Sequence, residues 1–241
     1  MTIRSRLRAR AALLVLSTCA ALPTLAADAV TDAMQEAYGP YRVALFKTNS
    51  NSQTEAQQAM TQAQQSWGKL AAQFGAKPPA PYDRDGAFGT SLAEVSRVYT
   101  KATEQVAANQ LTAAHETLEA ARDIMAQMRH RNQVIVYSDH MNAYHSEMEH
   151  VLIDGAKTLA QPNGMQQLTA QAGVLTYLSK KLSSEAPASY TGNAEFTGLV
   201  QAVDRSVADL QAALFAQNAV AVKEAMGKIK GPYSKLFLKF G

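Results

Sequence analysis

The chain has 241 residues, with 23 Lys and Arg against 20 Asp and Glu and a formal net charge of +3. Four of the basic residues, Arg4, Arg6, Arg8 and Arg10, precede an apolar stretch and the small residues Thr24-Leu25-Ala26-Ala27, the layout of a cleaved secretory signal. Without them 19 basic and 20 acidic residues remain, a balance of −1 that gives no nucleic-acid footprint.

The apolar stretch, 11–25, is shorter than the roughly 20 residues of a membrane span. Residues 1–27 are therefore expected to be removed, after Ala26, Ala27 or Ala29, and the mature chain released into the periplasm. No two arginines are adjacent, which points to the general export route and not the twin-arginine route. Cys19 is the sole cysteine and leaves with the signal; Thr18 before it argues against lipidation. The mature chain then has no disulfide, thiol nucleophile or thiolate metal site, and no CxxCH for covalent haem.

From there the apolar residues recur every three or four positions. Ala56, Met60, Ala63, Trp67, Leu70 and Phe74 make one helix face, and Leu111, Ala114, Leu118, Ala121, Met125 and Met128 another. Phe196 to Leu214 and Val222 to Phe240 repeat the pattern. Breakers at 49–52, 77–86, 109, 162–164, 187–193 and 218 separate eight expected helices. These span 30–48, 53–75, 87–108, 110–131, 138–160, 163–184, 193–216 and 218–239. The β-branched run Val134-Ile135-Val136-Tyr137 is the one strand-like segment.

The chain also repeats itself at an offset of 108: Tyr82 matches Tyr190, Phe88 Phe196, Val95 Val203, Arg97 Arg205 and Glu116 Glu224. Thr61 and Leu70 match Thr169 and Leu178. The expected fold is all-α, a tandem duplication of an antiparallel four-helix unit, with units at 28–132 and 133–241. Gly39-Pro40-Tyr41 and Gly231-Pro232-Tyr233 each put a proline in or near a helix, where it starts or kinks it.

All five histidines lie between His115 and His150, together with Met125, Met128, Met141 and Met148. Imidazole with thioether suits copper, and imidazole with carboxylate suits zinc or iron. His115 with Glu119 and His145 with Glu149 are spaced four apart, which puts each pair on one helix face. An antiparallel hairpin centred near Asn132 sets Glu119 level with His145 and His115 level with Glu149. A loop over 132–138 would move that centre to 135 and break the register. His115, Glu119, His145 and Glu149 are thus the candidate ligands of a transition-metal ion, with Met141 and Met148 as thioether alternates on the His145 face.

Met34 early in the first helix, the Pro78-Pro79 linker and the Ala107-Ala108-Asn109-Gln110 hairpin carry a resemblance. The first unit resembles the soluble periplasmic b-type cytochromes with a four-helix-bundle fold, relatives in architecture of cytochrome c-prime. The resemblance implies haem b held by Met34 and His130 and a role in electron transfer. Their partners at the 108 offset, Asn142 and Leu238, are not haem ligands.

The chain contains no GxSxG, P-loop, HExxH or glycine-rich dinucleotide fingerprint, so a non-enzymatic protein is expected. Ser138 and Asp139 beside His140 read as helix caps. The partners in view are a metal ion, haem, or another envelope protein held on the helical faces as by a chaperone-like module. Nucleic acid and permanent membrane insertion are excluded.

Overall fold

The computed structural model describes residues 28–241; the export signal expected at 1–27 lies outside the described residues. Among those described, every regular element is helical. The helices are α1 (Ala29–Asn49), α2 (Gln53–Phe74), α3 (Phe88–Ala107), α4 (Leu111–Arg131), α5 (Tyr137–Leu159), α6 (Gly164–Ser184), the one-turn α7 (Ala188–Thr191), α8 (Ala194–Phe215), α9 (Ala219–Lys228) and α10 (Lys230–Phe240). Each expected helix is present. The last divides at Ile229, because Pro232 has no N–H to donate and the preceding turn opens. The β-branched run forms the link into α5 and its first residue, not a strand. None of the described helices is long and apolar enough to cross a membrane.

α1 to α4 pack in succession, with α1 closing on α4; α5, α6, α8 and the α9–α10 pair do the same. Burial of the apolar faces drives both assemblies. Trp67 anchors the first: its side chain is 1% exposed and its indole N–H donates to the Leu92 carbonyl at 3.0 Å. Gly155 anchors the second, leaving α5 without a Cβ where the Met226 sulfur of α9 approaches. One continuous apolar core runs through both halves.

Positions 108 apart adopt equivalent local structures. α1 and α5 start at Ala29 and Tyr137, and α4 and α9 at Leu111 and Ala219. Tyr82 packs on Phe88 at 5.4 Å and 50°, and Tyr190 on Phe196 at 5.5 Å and 44°. Both tyrosines sit in a single helical turn within the linkers, one a 3-10 turn (Tyr82–Arg84) and the other α7. The α3–α4 turn is reproduced bond for bond between α8 and α9. Asn109 N–H donates to Val106 and Gln110 N–H to Gln105; Gln217 N–H donates to Leu214 and Asn218 N–H to Ala213.

Asn51, Asn109, Gln133 and Gln217 occupy the left-handed region with φ of 54°, 57°, 59° and 54°. Asn109, Gln133 and Gln217 each end a helix by a pair of backbone bonds that satisfies its last carbonyls, and at Asn51 the Ser52 N–H donates to the Lys47 carbonyl. Glycine is the residue that reaches this conformation without strain, asparagine tolerates it, and glutamine pays most. Gln133→Gly and Gln217→Gly should each stabilise the fold by about 1 kcal/mol in urea denaturation, with Asn109→Gly gaining less. Loss of stability in both glutamine variants would refute this account of the turns.

Candidate functional site

The two halves meet where α1 and α4 face α5 and α10. Tyr38 on α1 packs edge-on against Phe237 of α10 at 6.3 Å, and Arg42 Nη1 donates to the Phe237 carbonyl at 3.1 Å. The kink before α10 swings Tyr233 inward, where its ring stacks on Tyr144 at 5.2 Å and its hydroxyl donates to the Met141 carbonyl at 3.1 Å. A cleft opens beside this crossing, lined by His115 and Arg122 from α4, His145 from α5, and Lys230, Tyr233 and Ser234 from α10, with Leu45 and Asn49 of α1 at its edge.

Glu119 is the centre of the polar cluster. Its Oε1 lies 3.3 Å from His145 Nε2, 3.8 Å from His115 Nε2 and 3.5 Å from Arg122 Nη1. The hydrogen bond from His145 holds the Glu119 carboxyl down at about 2; burial opposes that shift, and Arg122 and the two histidines add to it. Burial pushes the His115 imidazole below its usual range, although a backbone hydrogen bond works against this. For Arg122 burial is overcome by Tyr41, Glu119 and Asp123, and its guanidinium is held more firmly protonated than usual.

The tautomer of His115 follows from its partners. Its Nδ1 lies 3.0 Å from the Leu45 carbonyl, an acceptor, so Nδ1 carries the proton and donates. Thr48 Oγ1 stands 3.4 Å from the same nitrogen and donates to the Ala44 carbonyl at 2.9 Å. Nε2 is left without a proton, 3.8 Å from Glu119 Oε1. A carboxylate oxygen and an imine nitrogen thus face one another with no hydrogen between them, an arrangement that attracts a cation.

Of the residues singled out from sequence, the structure brings His115, Glu119 and His145 together. Glu149 is 3.1 Å from Lys230 of α10 and not beside His115. The physical reason is that α4 and α5 are not a tight hairpin: α1 packs on α4 while α9 and α10 pack on α5, so the level pairing holds at Glu119 and fails further out. Met141 and Met148 are fully buried on the core side of α5 and do not line the cleft. Met34 is 1% exposed in the first half, whose interior is filled by Tyr41, Trp67, Tyr99, Met125 and Met128. His130 projects from the last turn of α4 with its side chain 54% exposed, 3.6 Å from Asp139.

Arg122, Lys230, Tyr233 and the Leu45 carbonyl are not among the site residues expected from the sequence. Arg122 and Lys230 were within reach, since they stand 108 apart and carry the same charge. Among the described residues, no three His, Cys, Asp or Glu side chains already stand in metal-holding geometry. No protein-family model, curated protein or solved structure matches the chain, so its functional reading rests on this geometry.

Glu119 has a depressed carboxyl pKa in the fold, so its contribution to stability is present above the ordinary carboxylate value and is lost as pH falls toward about 2. Urea denaturation of the wild type and Glu119→Gln should show the wild type more stable at pH 6, with the difference shrinking between pH of about 4.5 and about 2. A difference that stays constant over that window would show that Glu119 is not held by these partners.

Proposed function

We propose that this chain is an exported, non-enzymatic periplasmic protein, a tandem duplication of one four-helix unit, that binds a first-row transition-metal ion between the two halves. His115, His145 and Glu119 are the ligands, and ligation for storage, transfer or sensing is the role. The observation that carries the reading is the His115 hydrogen bond: Nδ1–H donates to the Leu45 carbonyl and frees Nε2, the outer-shell pattern of metal-binding histidines.

The spacings support it. Ligand atoms about 2.0–2.1 Å from a tetrahedral metal lie about 3.3 Å from each other. The His145–Glu119 contact is 3.3 Å and the His115–Glu119 contact 3.8 Å, so two of the three ligand pairs stand at or near that spacing. To ligate through Nε2, His145 would carry its proton on Nδ1 in place of Nε2, and Arg122 would move off Glu119. A fourth position faces the cleft. Imidazole and carboxylate suit zinc, copper(II) or iron; the buried Met141 and Met148 thioethers take no part.

Calorimetric titration of chelator-treated mature protein with Zn²⁺ and Cu²⁺, backed by elemental analysis, should give one ion per chain. His115→Ala and His145→Ala should each weaken binding by about 100-fold or more with helicity retained. Glu149→Gln should leave affinity unchanged, and Arg122→Gln should raise it. Unchanged affinity in both histidine variants removes the site. A Soret band in protein purified from its native periplasm would instead favour haem b on Met34 and His130.

A further inference from the structure

On the opposite side of the α1–α10 crossing the two halves enclose a second, larger groove of about 790 Å³. Its floor is α1, its far wall the link into α5, and its end the Tyr190 and Phe240 rings. It shares neither histidine nor Glu119 with the cleft described above.

Arg42 is the unusual member. Burial pulls its guanidinium below the ordinary arginine range, so the charge is partly stripped of water. Its Nη1 reaches only the neutral Phe237 carbonyl, and its Nε is buried without a hydrogen-bond partner among the described residues. No carboxylate among them lies within ion-pair distance of it. Its Nη2 makes no hydrogen bond among the described residues, and a half-buried guanidinium with donors left at Nη2 is matched by a carboxylate.

The rest of the groove narrows the class of ligand. Asp32 and Glu36 line it on the same helix, exposed and without ion-pair partners among the described residues. They stand ten and six residues before Arg42, about 15 and 9 Å along a helix axis. A simple anion would be repelled by these carboxylates. A free amino acid carries both charges but is too short to reach from Arg42 to Glu36. An extended tripeptide spans about 10 Å and fits that interval. The aromatic rings of Tyr137, Tyr190 and Phe240 offer its side chains apolar cover.

We infer that this groove binds short peptides of about three residues, with the terminal carboxylate on Arg42 and the terminal ammonium at Glu36 and Asp32. The site is independent of the metal reading. It rests on charge separation along one helix and on an arginine that the fold leaves without a counter-ion.

The probe is alanyl-phenylalanyl-alanine, titrated calorimetrically into the mature protein alongside its C-terminal amide and its N-acetyl form. The free tripeptide should bind; the amide and the N-acetyl form should each be weaker by about tenfold or more. Arg42→Gln should cost the free acid a similar factor and leave the amide unchanged, with circular dichroism confirming the fold. Should Arg42→Gln fail to fold, the three peptides on the wild type still decide. His145→Ala should bind the tripeptide as the wild type does, which separates this site from the metal cleft. Equal affinity for acid and amide, or no binding of the free tripeptide at millimolar concentration, would overturn the inference.

Discussion

Arg129 and Asp139 stand on either side of the link between α4 and α5, and their side chains are only 3% and 7% exposed. Both guanidinium edge nitrogens donate to the carboxylate, Nη2 to Oδ1 and Nε to Oδ2. The carboxylate also accepts the Val136 N–H at 2.9 Å, so the same group that pairs across the link starts α5. Two charges this deep in the protein are tolerated only as a pair, and removing one partner typically costs about 3–5 kcal/mol. What the pair contributes is direction. It fixes how α5 leaves α4, and therefore where His145, under two turns along α5 from Asp139, arrives relative to Glu119, about three turns back along α4 from Arg129.

The same constraint explains why the cleft has the composition it has. Arg122 on α4 and Lys230 at the start of α10 occupy equivalent places in the two halves, and both line it. Each neutralises a glutamate, Glu119 and Glu149 respectively. Around these matched cations the other equivalent positions have diverged: His115 corresponds to Lys223, Glu119 to Gly227, and Tyr233 to Met125. The local structure is alike at many positions 108 apart, whereas the chemistry belongs to the junction, where residues from both sides converge. The Pro232 kink has the same origin. Its equivalent in α4 is Ile124, within an unbroken helix, so α4 has no counterpart of the inward-turned Tyr233.

Much of this was legible in the sequence, for identifiable reasons. Helix limits came from apolar period and from breakers, and the structure moves none of them by more than one residue, apart from dividing the last helix at Ile229. The Glu119–His145 contact was expected from helical spacing and a hairpin centred near Asn132. The contact is present although the link runs over 132–136 and centres at 134, so tertiary packing and not that local register brings the two together. The failure of the partner contact at His115 and Glu149 has a tertiary cause, since α1 and α10 decide how α4 and α5 diverge. No local pattern encodes that divergence. Nor does any encode the Leu45 carbonyl that orients His115, because it belongs to a backbone 70 residues away. The methionines misled for a related reason. Their spacing placed them on the His145 face, but a helix face is broad, and Met141 and Met148 lie on its core side while the imidazole lies at the rim.

That separation bears on how the junction can work. Fully buried, flexible thioethers at Met125, Met128, Met141 and Met148 pack irregular gaps with little directional preference. The polar contacts between the halves are few and strongly directional: Arg129 to Asp139, His145 to Glu119, Tyr38 to Asn142 at 3.3 Å, and Arg42 to the Phe237 carbonyl. The apolar core thus holds the halves together, while these contacts set their orientation. An ion bridging His115, Glu119 and His145 would tie α4 to α5 directly and so stabilise this one orientation by mass action. A peptide anchored on Arg42 would act on α1 and α10 from the other side of the same crossing. Each ligand would thus contact a different set of the helices that meet at this crossing, whose orientation the directional contacts already set in the absence of either.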